Sequence, residues 1–134
     1  MPLPIELILM RQLASHLRMP IFLVDGQGTL LFYNEPAEAL LGRRFDEAGE
    51  MKLDVWSTIF HITDENGASL PREKLPLFVA LRERRPAHGI FRVTGLDGMT
   101  RMIEVMALPL EGQSGRDLGA VAAFWSVGTG AVAR

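Results

Sequence analysis

The chain of 134 residues contains no cysteine. That absence removes disulfides, thiolate metal sites, cysteine nucleophiles and thiol-linked chromophores together, and it agrees with a reducing cytoplasm. No stretch of about 20 residues is free of charge, so no segment qualifies as a membrane-spanning helix. The apolar beginning, "MPLPIELILMRQL", carries Glu6 and Arg11 and has no basic leader. A long basic run is also lacking and the formal charge is −2, which argues against nucleic acid as a partner. Apolar side chains, in contrast, are plentiful. At 48% hydrophobic the chain can bury one core without disulfides or a metal. A single cytoplasmic domain is the expectation.

Residues 4–18, "PIELILMRQLASHLR", place Ile5, Ile8, Leu9, Leu13 and Leu17 at helical spacing, with Glu6, Arg11 and Arg18 mostly on the other side. This predicts an N-terminal amphipathic helix (residues 1–18) that packs either on its own domain or on a second copy. "MPIFLVDGQGTLLFYN" then reads as two strands, Pro20 to Val24 and Thr29 to Tyr33, paired through a tight turn supplied by "DGQG". In "FYNEPAEALLG" the period changes from 2 to 3.6: Asn34 caps a short helix, Pro36 sits in its first turn and Gly42 closes it. The next stretch is polar and punctuated by glycine, which predicts short helical turns and loops with Val55, Trp56, Ile59 and Phe60 turned inward. "SLPREKLPLFVALRERRP" predicts a helix starting at Pro71 or at Pro76, with Leu75, Phe78 and Val79 on its inner stripe. "GIFRVTG", "RMIEVMALPL" and "LGAVAAFWSV" are three further strands.

Two strands, a helical crossover and a three-strand meander make an α+β domain with one antiparallel sheet and helices on one face. Alternation puts Phe91, Val93, Ile103, Val105, Ala107, Ala122 and Phe124 on the core face. Met102, Met106, Leu108, Val121, Ala123 and Trp125 fall opposite, a row too apolar to leave uncovered. The helix residues Trp56, Ile59, Leu75 and Phe78 are aimed at the same space as the core-face set, and the small Ala107, Ala122 and Ala123 leave two outcomes open there, a cavity or, more commonly, a tightly filled core.

The hairpin "IFLVDGQGTLLFYN", the corner "NEPAEALLG", the crossover "TDENGASLPREKLPL", the turn and strand "GLDGMTRMIEVMALPL" and the final "GAVAAFW" together resemble the PAS domain, in order, over roughly residues 15–127. The resemblance implies a five-stranded antiparallel sheet of order 2-1-5-4-3 over residues 19–127, a helix-capping role for Asn34, a flexible tail over 128–134, and sensing or association in place of catalysis. PAS-like domains hold flavin, haem, a coumaroyl chromophore, small carboxylates or lipids, or nothing. Cysteinyl-flavin photochemistry is excluded because the thiol is missing, and the positions that would face an isoalloxazine with amides are Val93, Ile103 and Phe124. For haem the candidate ligands are His61, at the polar edge of the pocket, and, ranked below it, His16 and His88. Met99, Met102 and Met106 read as packing.

No catalytic residue and no metal site is expected. The pairs Asp64/Glu65 and Glu47/Glu50 fall in solvated loops, "GQSGRD" lacks the flanks of a phosphate loop, and "RERR" reads as a solvated helix end in preference to an anion site. Two functions remain open. One is a sensory domain binding a small apolar ligand through Trp56, Ile59, Leu75, Phe78, Phe91, Val93, Ile103, Val105, Ala122 and Phe124. The other is a ligand-free association module. In both, a homodimer through Ile5, Ile8, Leu9, Leu13, Leu17, Met106 and Trp125, or a protein effector in trans, is the expected partner. The ending "FWSVGTGAVAR" departs from the Asp-x-Thr turn that leads to an output helix in related domains, placing Ser126 or Val127 at the Asp position. A standalone protein and an excised domain are both compatible with it.

Overall fold

A computed structural model of the protein describes residues 4–59, 61–95 and 98–127, without the side chains of Ala48, Ser57, Thr58 and Ile59. The first helix is Ile5–His16 (α1), followed by the hairpin of Ile21–Val24 (β1) and Leu30–Tyr33 (β2). Asp25 holds the turn by accepting the backbone N–H groups of Gln27 and Thr29 at 2.9 and 3.0 Å. Three short helices come next, Glu35–Leu41 (α2), Phe45–Ala48 (α3) and Leu53–Ile59 (α4), then the strand His61–Thr63 (β3). A 3-10 turn at Arg72–Lys74 leads into Pro76–Glu83 (α5), so the helix starts at the second of the two candidate prolines. The strands Ala87–Thr94 (β4), Thr100–Glu111 (β5) and Asp117–Val127 (β6) follow.

The sheet has the order β2-β1-β6-β5-β4-β3, with every neighbouring pair antiparallel. The five expected strands keep their expected neighbours, and β3 is added at one edge. Its three residues are too few for alternation to separate them from a loop. Ile103, Val105 and Ala107 are buried while Met106 and Leu108 are exposed, which fixes the register of β5 as alternation requires. Trp56 is buried, whereas Val55 is exposed instead of facing inward, because a one-residue step on a helix turns the side chain by about 100°. Phe60, the side chain of Ile59 and the tail 128–134 lie outside the described residues.

Helix α1 crosses the outer face of the sheet. Leu7 and Ala14 bury against Ile21, Leu23, Leu31, Leu118 and Val121 in a second, smaller core. Arg11 lies over the rings of Phe32 and Phe45, at 4.8 and 5.6 Å, and Glu6 reaches Arg116 at 3.6 Å. Of the two packings expected for the stripe Ile5, Ile8, Leu9, Leu13 and Leu17, the one on its own domain is not seen: the stripe points away from the sheet, with exposures from 39% to 66%. The helix is apolar on two sides, and spacing alone selects the larger stripe, although the narrow Leu7/Ala14 line is the one that meets the sheet.

Asn34 is the polar side chain buried in this core, and all of its hydrogen-bonding capacity is used. Its Oδ1 accepts from the N–H groups of Ile21 and Ala37, at 2.9 and 3.3 Å, and its Nδ2 donates to the carbonyls of Ala14 and Met19, both at 2.9 Å. The residue thus caps α2 as expected and also clasps the end of α1 and the start of β1. Gly42 ends α2 with φ of 81°, as its position after the helix suggests.

Tyr33 donates its hydroxyl proton to the carbonyl of Arg43 at 2.8 Å. Burial, and secondly the Glu38 carboxylate, push the phenol up from 10.0 to about 12. Because the folded value lies above the unfolded one, the neutral phenol's stabilisation is complete below pH 10 and is lost as the pH rises through about 12. It is the chain's single tyrosine, so tyrosinate absorbance reads it alone. We expect ionisation near pH 12 or together with unfolding, and a midpoint near 10 in the folded protein would contradict this.

Candidate functional site

Between the sheet and the helices lies a cavity of about 70 Å3 whose walls, among the described residues, present no polar atom. The sheet supplies Phe22, Ile62, Phe91, Val93, Ile103, Val105, Ala122 and Phe124; Leu41 of α2, Trp56 of α4, and Leu75, Pro76 and Leu77 at the start of α5 close the other side. Strand register explains the sheet wall. Phe91 pairs with Ile103, Val105 with Phe124 and Phe22 with Ala122, so each pair turns the same way and projects inward. Ala122 provides the recess, since a larger side chain there would stand between Phe22 and Phe124, whose ring centres are 6.5 Å apart. Trp56 stands edge-on to Phe22 at 5.2 Å and donates its indole N–H to the carbonyl of Gly28 at 2.7 Å. Ile62, on the edge strand, is the one lining residue that is not buried, and the cavity approaches solvent there.

Of the residues expected around a ligand, Trp56, Leu75, Phe91, Val93, Ile103, Val105, Ala122 and Phe124 meet at this cavity. Phe78 is buried in the same core but does not line it. Phe22, Leu41, Ile62, Pro76 and Leu77 complete the wall without having been singled out by pattern. For Phe22 the reason is that β1 is buried on both faces, so alternation carries no signal, and only the pairing with Ala122 marks its side. His61 is exposed, and its neighbour Ile62 is the residue turned to the cavity, so no polar edge is formed by the imidazole. His16 sits at the exposed end of α1, with Nδ1 2.9 Å from the Gln12 carbonyl, and His88 is exposed against Glu104 on β5. None of the three reaches the cavity. Among the described residues no group of three His, Asp or Glu side chains is placed to hold a metal.

The described lining holds no polar group placed to bind a planar cofactor of the kind the resemblance brings with it. A drug- or cofactor-sized ligand needs roughly 300 Å3 or more and a few placed polar groups. Here the volume is about 70 Å3, and the one polar side-chain atom among the lining residues, the Trp56 indole nitrogen, is committed to Gly28.

The arginine run after α5 is occupied by the protein itself. Arg82 covers the Phe78 ring at 4.8 Å and Arg85 pairs with Glu83 at 2.8 Å. Arg84, in the left-handed region with φ of 57°, donates to Glu111 at 3.0 Å and to the carbonyl of Gly115 at 3.1 Å, with Asp117 at 3.9 Å. Helix α5 is therefore tied at its start to the cavity and at its end to the β5–β6 hairpin, and that hairpin carries Arg116, the partner of Glu6 on α1.

On the outer face, Met106 is exposed beside Leu108 and Ile90, while Trp125 is half-buried and donates its indole N–H to Glu104 at 3.2 Å. These residues lie next to the part of the sheet that α1 covers. Among the described residues no helix is long and apolar enough to cross a membrane.

The fold is shared with solved PAS domains of low sequence identity. The PAS domain of BvgS from Bordetella pertussis is 20% identical and superposes with a TM-score of 0.60 over 96% of this chain and 92% of its own. The PAS domain of nitrogen regulation protein NR(II) from Vibrio parahaemolyticus, 16% identical, gives 0.62 over 89% and 98%. The LOV protein of Rhodobacter sphaeroides, 14% identical, gives 0.69 over 90% and 67%. No curated relative matches by sequence. The family model described as PAS fold matches residues 14–129. With that match spanning the sheet, helices α2 to α5 and the cavity, the chain belongs to the PAS fold family.

Proposed function

We propose that this PAS domain is a sensory and signalling module, cytoplasmic and without catalysis of its own, in which a small apolar molecule in the cavity is read out as homodimerisation. The observation that carries this reading is the wholly apolar cavity at the meeting point of sheet and helices. The outward stripe of α1 supplies the association surface. Ile5, Ile8, Leu9 and Leu13 need an apolar cover, and the half of the outer sheet face bearing Met106, Leu108 and Ile90 needs one too. A two-fold pair of chains satisfies both, each helix lying on the other's open half-sheet. The line from α5 through Arg84, the β5–β6 hairpin and the Arg116–Glu6 pair to α1 is the physical connection between cavity and interface.

Sedimentation velocity tests the association. The wild-type chain is expected to dimerise, and Leu9→Glu with Leu13→Glu, both on the outward stripe, to yield a folded monomer that melts where the wild type melts at dilutions at which it is itself monomeric. A monomeric wild type, or a dimer unaffected by the double variant, would overturn the interface. A protein effector in trans would then be the remaining partner for that surface. The small volume of the cavity favours a second reading, a ligand-free homodimerisation module, which keeps the dimer and predicts no response to any apolar probe.

A further inference from the structure

We infer that the cavity is matched to an apolar molecule of only about two to four heavy atoms, a dissolved gas or a short hydrocarbon, and not to a planar polar cofactor. The inference rests on the ligand-sensing reading above and narrows it to one chemical class. An apolar cavity of about 150 Å3 stays dry and takes benzene or xenon. This one measures about 70 Å3, which leaves space for roughly half as many atoms. Water is a poor occupant, since it needs at least two polar partners and the described residues of the wall offer none. The same fact selects against any ligand with hydrogen-bonding groups, because these would lose their hydration with nothing in return. Trp56 does not rescue such a ligand: its N–H already serves the carbonyl of Gly28. With so few atoms in contact, binding is limited to about 0.1 mM or weaker. A domain built this way responds to abundant small molecules and ignores scarce large ones.

Methyl NMR of the full chain under xenon pressure tests it, read at Val93, Ile103 and Val105. Saturable shifts are expected at these methyls, and Ala122→Val, which places two methyl groups in the recess, should reduce them at least tenfold. Val105→Ile enlarges a lining side chain on β5, the strand next to Ala122, and serves if the first variant does not fold. Dioxygen, read by paramagnetic broadening of the same methyls, and propane separate a gas from a hydrocarbon as the better occupant. Naphthalene and flavin mononucleotide are expected to leave the methyls unmoved. If either of these larger probes binds at the same methyls while xenon does not, the size class is overturned and the ligand-sensing reading stands. If no probe of any size perturbs the methyls of the folded protein, both fall.

Discussion

Replacing Asn34 is expected to cost the fold more than any other polar substitution, and the choice of replacement should separate its two roles. Asn34→Ala leaves the N–H groups of Ile21 and Ala37 and the carbonyl of Met19 without a buried partner, while the carbonyl of Ala14 keeps only the N–H of Leu17. At about 1–3 kcal/mol for each unsatisfied group, reduced by relaxation, we expect a loss of about 4 kcal/mol and a melting temperature lower by roughly 10–15 °C. Asn34→Asp keeps both acceptor bonds, and aspartate is a good N-cap. It cannot donate, however, and sets a carboxylate oxygen against the carbonyls at the end of α1 and the start of β1. Hydrogen exchange should therefore show α1 losing protection while the amides of Ala37 and Glu38 in α2 keep theirs. Equal loss in both helices would contradict the separation. The variant's deficit should also depend on pH. Burial favours the neutral carboxyl, so its folded pKa is raised above the unfolded value, and the stability that protonation restores at low pH is lost as the pH rises through that value.

Gly119→Ala is expected to prevent the native pairing of β1 with β6. The residue has φ of 126°, a conformation that only glycine adopts readily, and an added Cβ would collide with the carbonyl oxygen of Val24 and lie 2.7 Å from the Asp25 backbone. Because these are backbone atoms of the paired strand, nothing flexible can move aside. We expect a loss above about 4 kcal/mol, in the exceptional range for a single substitution, read as a collapse of the urea midpoint or a failure to fold. Gly67→Ala is the control: φ there is 88°, but nothing lies within 4 Å of the added carbon. It should cost only about 1–2 kcal/mol of backbone strain. Equal effects at the two positions would mean that close packing at Gly119 is not what requires glycine.

The difference between these two glycines also marks the limit of what pattern can reveal. Gly119 reads in sequence as an interruption of a strand, and only the approach of Val24 from another strand, 95 residues earlier, makes it indispensable. Local chemistry was legible: the cap at Asn34, the closing Gly42 and the β5 alternation of Ile103, Val105 and Ala107 are set by neighbours a few residues away. The cavity wall was legible where a strand or helix has one wet face, as at Phe91, Val93 and Leu75. It was not legible at Phe22, because β1 is buried on both sides. Which side of α1 meets its own sheet was illegible for the converse reason. Leu9 and Leu13 form the better helical stripe, yet Leu7 and Ala14 meet the sheet, and nothing within 12 residues of the helix encodes which of two apolar faces does so. Asn34 was visible as a cap and invisible as the clasp of α1, since the carbonyls of Ala14 and Met19 carry no side-chain signature.

If occupancy of the cavity is read out as association, linkage requires the coupling to act in both directions. Translational diffusion, measured by NMR in the same xenon-pressurised samples that report the cavity methyls, tests it most directly. The monomer–dimer equilibrium of the wild-type chain is expected to shift with the same midpoint as the shifts of Val93, Ile103 and Val105, and Ala122→Val to reduce both at least tenfold. Methyl shifts that saturate while the diffusion coefficient stays constant, at protein concentrations near the dimer dissociation constant, would contradict it.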